Sequence, residues 1–467
     1  MNRIAYEDTK ENELITTIDA FFRNCELSKL LKRSNVYKEK GIQPVLLFHK
    51  LFELLFLHRS LFEELKRSDL CAKDTFYRFL NSTSINWLNF TTMLAAKIVT
   101  CFLERLTSKE RVNVFIIDDT IYEKQHCRKA ELLARVYDHA HNKYTWGFRL
   151  LTLCWSDENS VVPVNSALLS SNDSKQIVGP QTDTDGRTCG AFRRKLAATK
   201  SPDVVVTLLD KALGAGIKAR YLLCDSWFPS ASLLSSAKER KLDVIAAVKK
   251  GEKSHYLYNG VQMSLNKIYS LNKKRGGRSK YLLSAEAAVD RGPGKNKIFL
   301  PVKLVFVRNR SRKNDYLVLL STDTKLPENE IIRLYGKRWG IEVFFKTAKS
   351  CLKLGKECHA LSYDAMTAYV AVVFARYNML TYLNRLEEDQ RSIGELFYAV
   401  CDELPDISLA EAFRKLLSCF EEILSGTSVF SKKEISKMMD KLISSLPQVI
   451  QIRLGVCLRR YFIMALY

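Results

Sequence analysis

The chain is short of acid. Its 467 residues carry 73 lysines and arginines against 51 aspartates and glutamates, a formal net charge of +22. A surface with that deficit favours a polyanionic partner, nucleic acid first. A basic surface that only keeps the protein in solution is the plainer reading. No apolar run reaches bilayer length: Ala368–Ala375 is short and stops at Arg376, which excludes a spanning helix there. The twelve cysteines form no CxxC pair and no regular framework, so reduced thiols are expected rather than a disulfide scaffold. His126, Cys127, His139 and His141 lie near one another, but their spacing fits no standard zinc site. Glycine-rich phosphate loops, GxSxG elbows, HExxH pairs and internal repeats are all missing, which removes the usual ATPase, serine hydrolase and zinc protease readings. The polar, acidic opening MNRIAYEDTKENELITT is no signal peptide. A cytoplasmic, nucleoid-associated protein is the expectation.

What is present is a core. Hydrophobic residues make up 47% and aromatics 10%, enough for two or three domains at this length. Residues 1–108 read as helical, with dense apolar stretches at Leu46–Leu57 and Asn89–Leu106. Asp74–Leu80 opens on a possible N-cap and sets Arg78 beside two aromatics. With the basic stretch Lys29–Lys40, this fits a small helical DNA-binding domain; a plain helical bundle is the alternative.

The pattern changes at Arg111–Thr120, RVNVFIIDDT. Val112–Ile117 is largely β-branched and apolar, and it ends on Asp118-Asp119. A buried strand that delivers carboxylates at its end is a common way to build a metal site. Two acids opening a turn is the plainer account. Tyr144–Trp155 and Ser160–Leu169 read as two more strands. A polar stretch over Ser170–Pro202, with the basic run Arg193-Arg194-Lys195, reads as a loop leading to a helix at Asp203–Ala215. Tyr221–Trp227, YLLCDSW, repeats the strand-then-acid logic at Asp225. A helix at Ser230–Arg240 and a strand at Leu242–Lys249 complete a mixed sheet with flanking helices. Residues 251–320 read as a β-rich insertion with basic clusters at Lys273-Lys274-Arg275, Arg278–Lys280 and Arg308–Lys313. Arg310 and Arg312 lie in the last cluster. Clusters of one sign recurring in one region favour contacts to a DNA backbone. Residues 361–467 return to helices, expected as amphipathic at Ala365–Leu386, Leu409–Leu424 and Lys433–Leu446.

Between them lies Leu334–Leu354, LYGKRWGIEVFFKTAKSCLKL. Tyr335, Arg338, Glu342 and Lys349 stand at offsets of 3, 7 and 14 from the tyrosine. On a single α-helix they fall within roughly 60° of one another. Leu334, Trp339, Ile341, Phe344, Phe345 and Leu352 would hold that helix down, Pro327 with Glu328 and Glu330 would start it, and Gly355 would stop it. A solvated polar face with an Arg–Glu pair is the plainer reading of this spacing. The chemical reading takes Asp118, Asp225 and Glu342 as hard oxygen ligands for two Mg²⁺ ions flanking a phosphodiester, with Arg338 and Lys349 neutralising phosphate charge.

Tyr335-(2)-Arg338-(3)-Glu342-(6)-Lys349 resembles the Y-R-E-K signature of bacterial insertion-sequence transposases of the DDE type. IIDDT, YLLCDSW and YGKRWGIEVFF resemble that family's three catalytic blocks in order, over roughly residues 110–355. The resemblance implies a ribonuclease-H-like α/β fold with a β-rich insertion between the second aspartate and the glutamate. Its domains would be 1–108 for DNA binding, 109–250 with 321–360 for catalysis, 251–320 for the insertion and 361–467 for a helical, possibly dimerising, region. It implies metal-binding catalytic roles for Asp118, Asp225 and Glu342, with Mg²⁺ or substituting Mn²⁺. Asp119 stays open as the alternative to Asp118. DNA-phosphate roles fall to Tyr335, Arg338 and Lys349. Trp227 would stack on a base or, as the more ordinary outcome, in the core. The implied activity is cut-and-paste movement of a DNA element by a homodimer bridging its terminal repeats. A two-metal nuclease that does not join strands, and a decayed DNA-binding protein, are the competing expectations.

Overall fold

The computed structural model describes residues 3–67, 72–107, 111–138, 142–171, 173–251, 255–276, 279–290, 299–309, 315–357, 359–386, 424 and 431–445. Its centre is β1 (Val114–Glu123), whose first four residues, VFII, are fully buried. A β-branched, apolar run with no exposed face suits the middle of a sheet covered on both sides. Next to it in the sheet come β3 (Lys143–Ser156), antiparallel, and β5 (Tyr221–Cys224), parallel. β4 (Val161–Leu169) and β2 (Ala134–Asp138) both pair with β3, and β6 (Asp243–Val248) runs parallel to β5. Three antiparallel strands followed by two parallel ones make the ribonuclease-H-like mixed sheet that was expected. The parallel steps need crossovers, which Cys189–Ala197, Ser201–Gly214 and Ala231–Glu239 supply as helices.

The sheet does not end at β6. β7 (His255–Tyr258), β8 (Val261–Ser264), β9 (Tyr281–Asp290), β10 (Phe299–Arg308) and β11 (Tyr316–Ser321) continue it in the order β2-β3-β1-β5-β6-β11-β10-β9-β7-β8. The region read as a β-rich insertion is thus largely strand, and its strands extend the same sheet through the antiparallel β6–β11 pair.

Two local readings differ from the structure. The Ser170–Pro202 stretch is not loop up to residue 202: Thr188 caps a helix over Cys189–Ala197, its side chain accepting from the Ala191 amide. The basic run sits on that helix and turns inward. Arg193 Nε donates to Asp364 Oδ1 at 2.6 Å, and Arg194 reaches Glu131 at 2.8 Å and Asp364 at 2.7 Å. Buried carboxylates from distant parts of the chain, invisible to local spacing, claim these guanidinium groups.

The helix expected as amphipathic at Ala365–Leu386 spans Tyr363–Leu386 and is buried on nearly every side. It packs on β4 and on the Trp87–Ile98 helix, beside the Pro44–Glu53 helix. Phe48, Trp87 and Phe90 form an aromatic cluster there, with centroid separations of 5.1–6.1 Å. Polar residues on the long helix are therefore satisfied internally. Arg376 is fully buried; it donates to the Phe52 carbonyl at 3.0 Å, to the Leu51 carbonyl, and to Glu357 at 2.5 Å. Those carbonyls belong to the last turn of the Pro44–Glu53 helix, which lacks intrahelical donors. Lys432–Ser445 is a helix belonging to a second compact unit, and the sheet lies in the unit formed by Asp19–Leu55 and Arg59–Gly394. The helix expected at Leu409–Leu424 lies outside the described residues apart from Leu424. No helix among the described residues is long and apolar enough to cross a membrane.

Arg376→Met would strand Glu357 and two helix-terminal carbonyls. It should cost about 3–5 kcal/mol, as breaking a buried ion pair from one side does. Urea unfolding followed by tryptophan fluorescence measures this, and an unmoved midpoint would contradict it.

Candidate active site

The first two acids are brought together by strand register. Ile117 of β1 pairs with Cys224 of β5 in a parallel ladder. Asp118 is the next residue of β1, which does not end at the acids as expected but runs on to Glu123. Asp225 is the first residue beyond β5, and neighbouring strands about 4.8 Å apart bring the two to one level. Apolar YLLC, all buried, carries Asp225 to that position. A backbone turn then holds it: Asp225 Oδ1 accepts from the Trp227 amide at 2.9 Å.

The third acid arrives on a helix, and not on one unbroken helix. Pro327 precedes Glu328–Gly336, with Glu328 and Glu330 in the first turn as expected. Lys337 and Arg338 form a turn, and a second helix runs over Trp339–Ser350. Tyr335 thus stands on a different segment from Glu342 and Lys349, and the single four-residue stripe is interrupted. Gly336 sits where the break falls, and glycine is a weak helix former. The turn is anchored from below. Lys337 Nζ donates to the Val112 carbonyl at 2.9 Å and pairs with Glu158 at 2.5 Å, and Arg333 reaches the same Glu158 at 2.6 Å. Gly340 faces the start of β4, where an added Cβ would lie 2.6 Å from Val161 Cγ2; glycine lets the helix close onto the sheet. Phe344 and Phe345 are buried, but Trp339 is 64% exposed and does not hold the helix down.

Arg338 joins the two halves of the site. Its guanidinium donates to Asp118 Oδ2 at 2.7 Å and also bonds Glu342 Oε1. The Tyr335 ring centroid lies 5.9 Å from that guanidinium. Burial pushes the Asp118 carboxyl up to about 7; Arg338 opposes this shift and neighbouring Asp225 adds to it. Burial likewise pushes the Tyr335 phenol up to about 12, so it stays a hydrogen-bond donor at neutral pH. Asp119 points elsewhere and pairs with Arg149.

Other expected residues are more dispersed. Lys349 is half-buried, and burial lowers its pKa while Glu123 and Asp138 pull it back up. Its neighbours therefore sit at the far end of β1, away from Arg338. Trp227 is 56% exposed rather than packed in the core, with the Lys249 ammonium 2.9 Å from its ring centroid. Arg78 is exposed on the Lys73–Leu80 helix. Lys273, Lys274 and Arg275 are exposed before β9; Lys274 lies over Tyr269 at 4.6 Å and Arg275 over Tyr281 at 4.6 Å. Arg310 and Arg312 lie outside the described residues, as do His139 and His141. Lys337, Glu158 and Gly340 escaped the sequence reading. The alternation of β2, a strand it did not name, was visible in principle.

Among the described residues, no three His, Cys, Asp or Glu side chains stand together as an ion-holding group. Arg338 occupies the place between Asp118 and Glu342. The donor set itself fits a hard divalent ion, since every candidate ligand is a carboxylate. Burial pushes the Asp118 carboxyl up to about 7 despite the Arg338 guanidinium beside it, so further positive charge there would favour its ionised form. The pattern of the DDE superfamily endonucleases matches residues 61–281, a span that contains Asp118 and Asp225 and stops before Glu342. Enzymes of that superfamily act on DNA and generally use divalent metal ions. No curated protein matches the chain.

Because folding raises the Asp118 pKa from 3.8 to about 7, the ion-free folded chain holds that proton more tightly than the unfolded chain. Stability is then highest below the unfolded value and declines as pH rises towards 7. Asp118→Asn should flatten this decline. Urea midpoints taken between pH 4 and pH 7.5 (roughly the window set by the shift) test it, and superimposable profiles would refute it.

Proposed function

We propose that this chain is a DDE transposase, cutting DNA at the ends of an insertion sequence and joining those ends to a target. The observation that carries the reading is the meeting of Asp118 on β1, Asp225 just past β5 and the Arg338–Glu342 pair of the helical segment. Asp118, Asp225 and Glu342 would hold two Mg²⁺ ions, with Mn²⁺ able to substitute. Bound ions in such a site activate an attacking oxygen and neutralise the leaving one.

The chain's own residues supply the remainder. Arg338 neutralises the carboxylates in the resting site. With DNA bound, its planar fork is suited to turn to a phosphate. The Tyr335 phenol, still protonated, donates a hydrogen bond beside it. Trp227 and Lys249 offer an exposed stacking and charge contact next to Asp225. Lys273, Lys274, Arg275 and Arg78 are exposed cations suited to backbone contacts. Lys349 serves a phosphate further along β1. A dimer bridging two element ends completes the reading, with the C-terminal helices as the contact. The endonuclease description of the matching family keeps a second reading in view: cutting without joining.

DNA carrying the element's ends, incubated with the protein and Mg²⁺, separates these readings. Joined products mark a transposase, cuts alone mark a nuclease, and a binding shift without cuts contradicts both. Glu342→Gln should abolish cleavage with end binding nearly unchanged; normal cleavage would remove Glu342 from the site. Mg²⁺ should raise the Tm of the wild-type protein at pH 7 and leave that of Asp118→Asn unmoved. Arg338→Ala should lower the salt dependence of binding by about one phosphate, and an unaltered slope would contradict that role.

A further inference from the structure

The β2–β3 hairpin carries an exposed face that the site described above does not use. In its register Tyr137 lies opposite Tyr144 and Arg135 opposite Trp146, so these four side chains share one face. Val136, Thr145 and Asp138 take the other face and are buried. Tyr137 is 37% exposed and Tyr144 56% exposed. Their rings meet edge to face at a centroid separation of 5.1 Å, and the Arg135 guanidinium lies 4.2 Å from the Tyr144 ring centroid. Paired rings under a guanidinium, held on a strand pair, form a rigid surface. Two rings left in solvent on a protein of net charge +22 need a partner that is both flat and anionic.

We infer that this face is a stacking platform for unpaired DNA bases. Its charge supports that occupant: no acid lies on the outer face, Arg135 sits on it, Lys143 stands exposed at the tip, and Arg128 and Lys129 are exposed in the segment leading to β2. A base offers its π-face to a tyrosine only when it is not covered by its own duplex, so single-stranded or frayed DNA suits the platform better than a closed helix. β3 connects it to the acids. Thr152 pairs with Asp118, and Tyr144 lies eight residues earlier on the same strand, roughly 26 Å away at about 3.3 Å per residue. That is less than one turn of duplex from a phosphate at the acids. The inference rests on the DNA-processing reading and adds to it a site that distinguishes unpaired from paired strands.

Fluorescence anisotropy with a labelled oligothymidine and a labelled blunt duplex of equal length tests it on the full chain. Tyr137→Ala/Tyr144→Ala should weaken oligothymidine binding by about tenfold or more, as removal of stacking rings does, and change duplex binding by less than about twofold. Tyr144→Phe, which keeps the ring, should bind as the wild type does. Unchanged oligothymidine affinity in the double variant would overturn the platform, and so would an equal loss on both DNAs. Wild-type protein that binds duplex but not oligothymidine would overturn the platform alone. Protein that binds neither would overturn the DNA-processing reading along with it.

Discussion

One guanidinium shared by two carboxylates ties the sheet to the helix that follows it. Arg338 reaches Asp118 on the central strand and Glu342 one helical turn on, so the position of the helix and the charge state of the strand acid are coupled. Asp118 is buried enough that its ionised form needs a positive neighbour. Without a metal, Arg338 is that neighbour. The guanidinium stabilises the charged form of both carboxylates at once.

The supports around this contact are placed to keep it aligned. Lys337 and Arg333 both grip Glu158, in the turn between β3 and β4, and Lys337 also caps the chain entering β1 at Val112. Gly340 allows close approach to Val161 at the start of β4. The turn that carries Arg338 is therefore fixed to the chain entering β1 and to the β3–β4 connection. Behind them the buried Tyr363–Leu386 helix, with Arg376 satisfied internally, gives the sheet a rigid backing.

Several features could be read from local pattern because local physics decides them. The runs VFII and YLLC announce buried strands. Asp225 does follow the end of its strand, whereas β1 runs on past Asp118 and Asp119 to Glu123, held by its ladder to β3. Pro327 with early acids announces the start of a helix. The candidacy of Asp118, Asp225, Glu342 and Arg338 follows from residue type and spacing. The misreadings share one cause. Arg193 and Arg194 read as part of a polar loop, yet they stand on a helix, and Asp364 and Glu131, far away in sequence, draw them inward. Trp339 and Trp227 looked like core residues, yet their segments turn them outward beside the acids. The Tyr363–Leu386 helix looked amphipathic, yet neighbours on every side bury it.

The sequence by itself determined which residues are candidates for chemistry and where the central strands and the Glu342 segment run, because those depend on side-chain type and on periods of two or about four residues. Tertiary structure alone decided which of those residues meet. Parallel register puts Asp118 beside Asp225, a break after Gly336 separates Tyr335 from the later helix, and Lys349 is carried towards Glu123 and Asp138. Contacts across a hundred residues or more depend on how elements pack, and packing leaves no trace in local spacing.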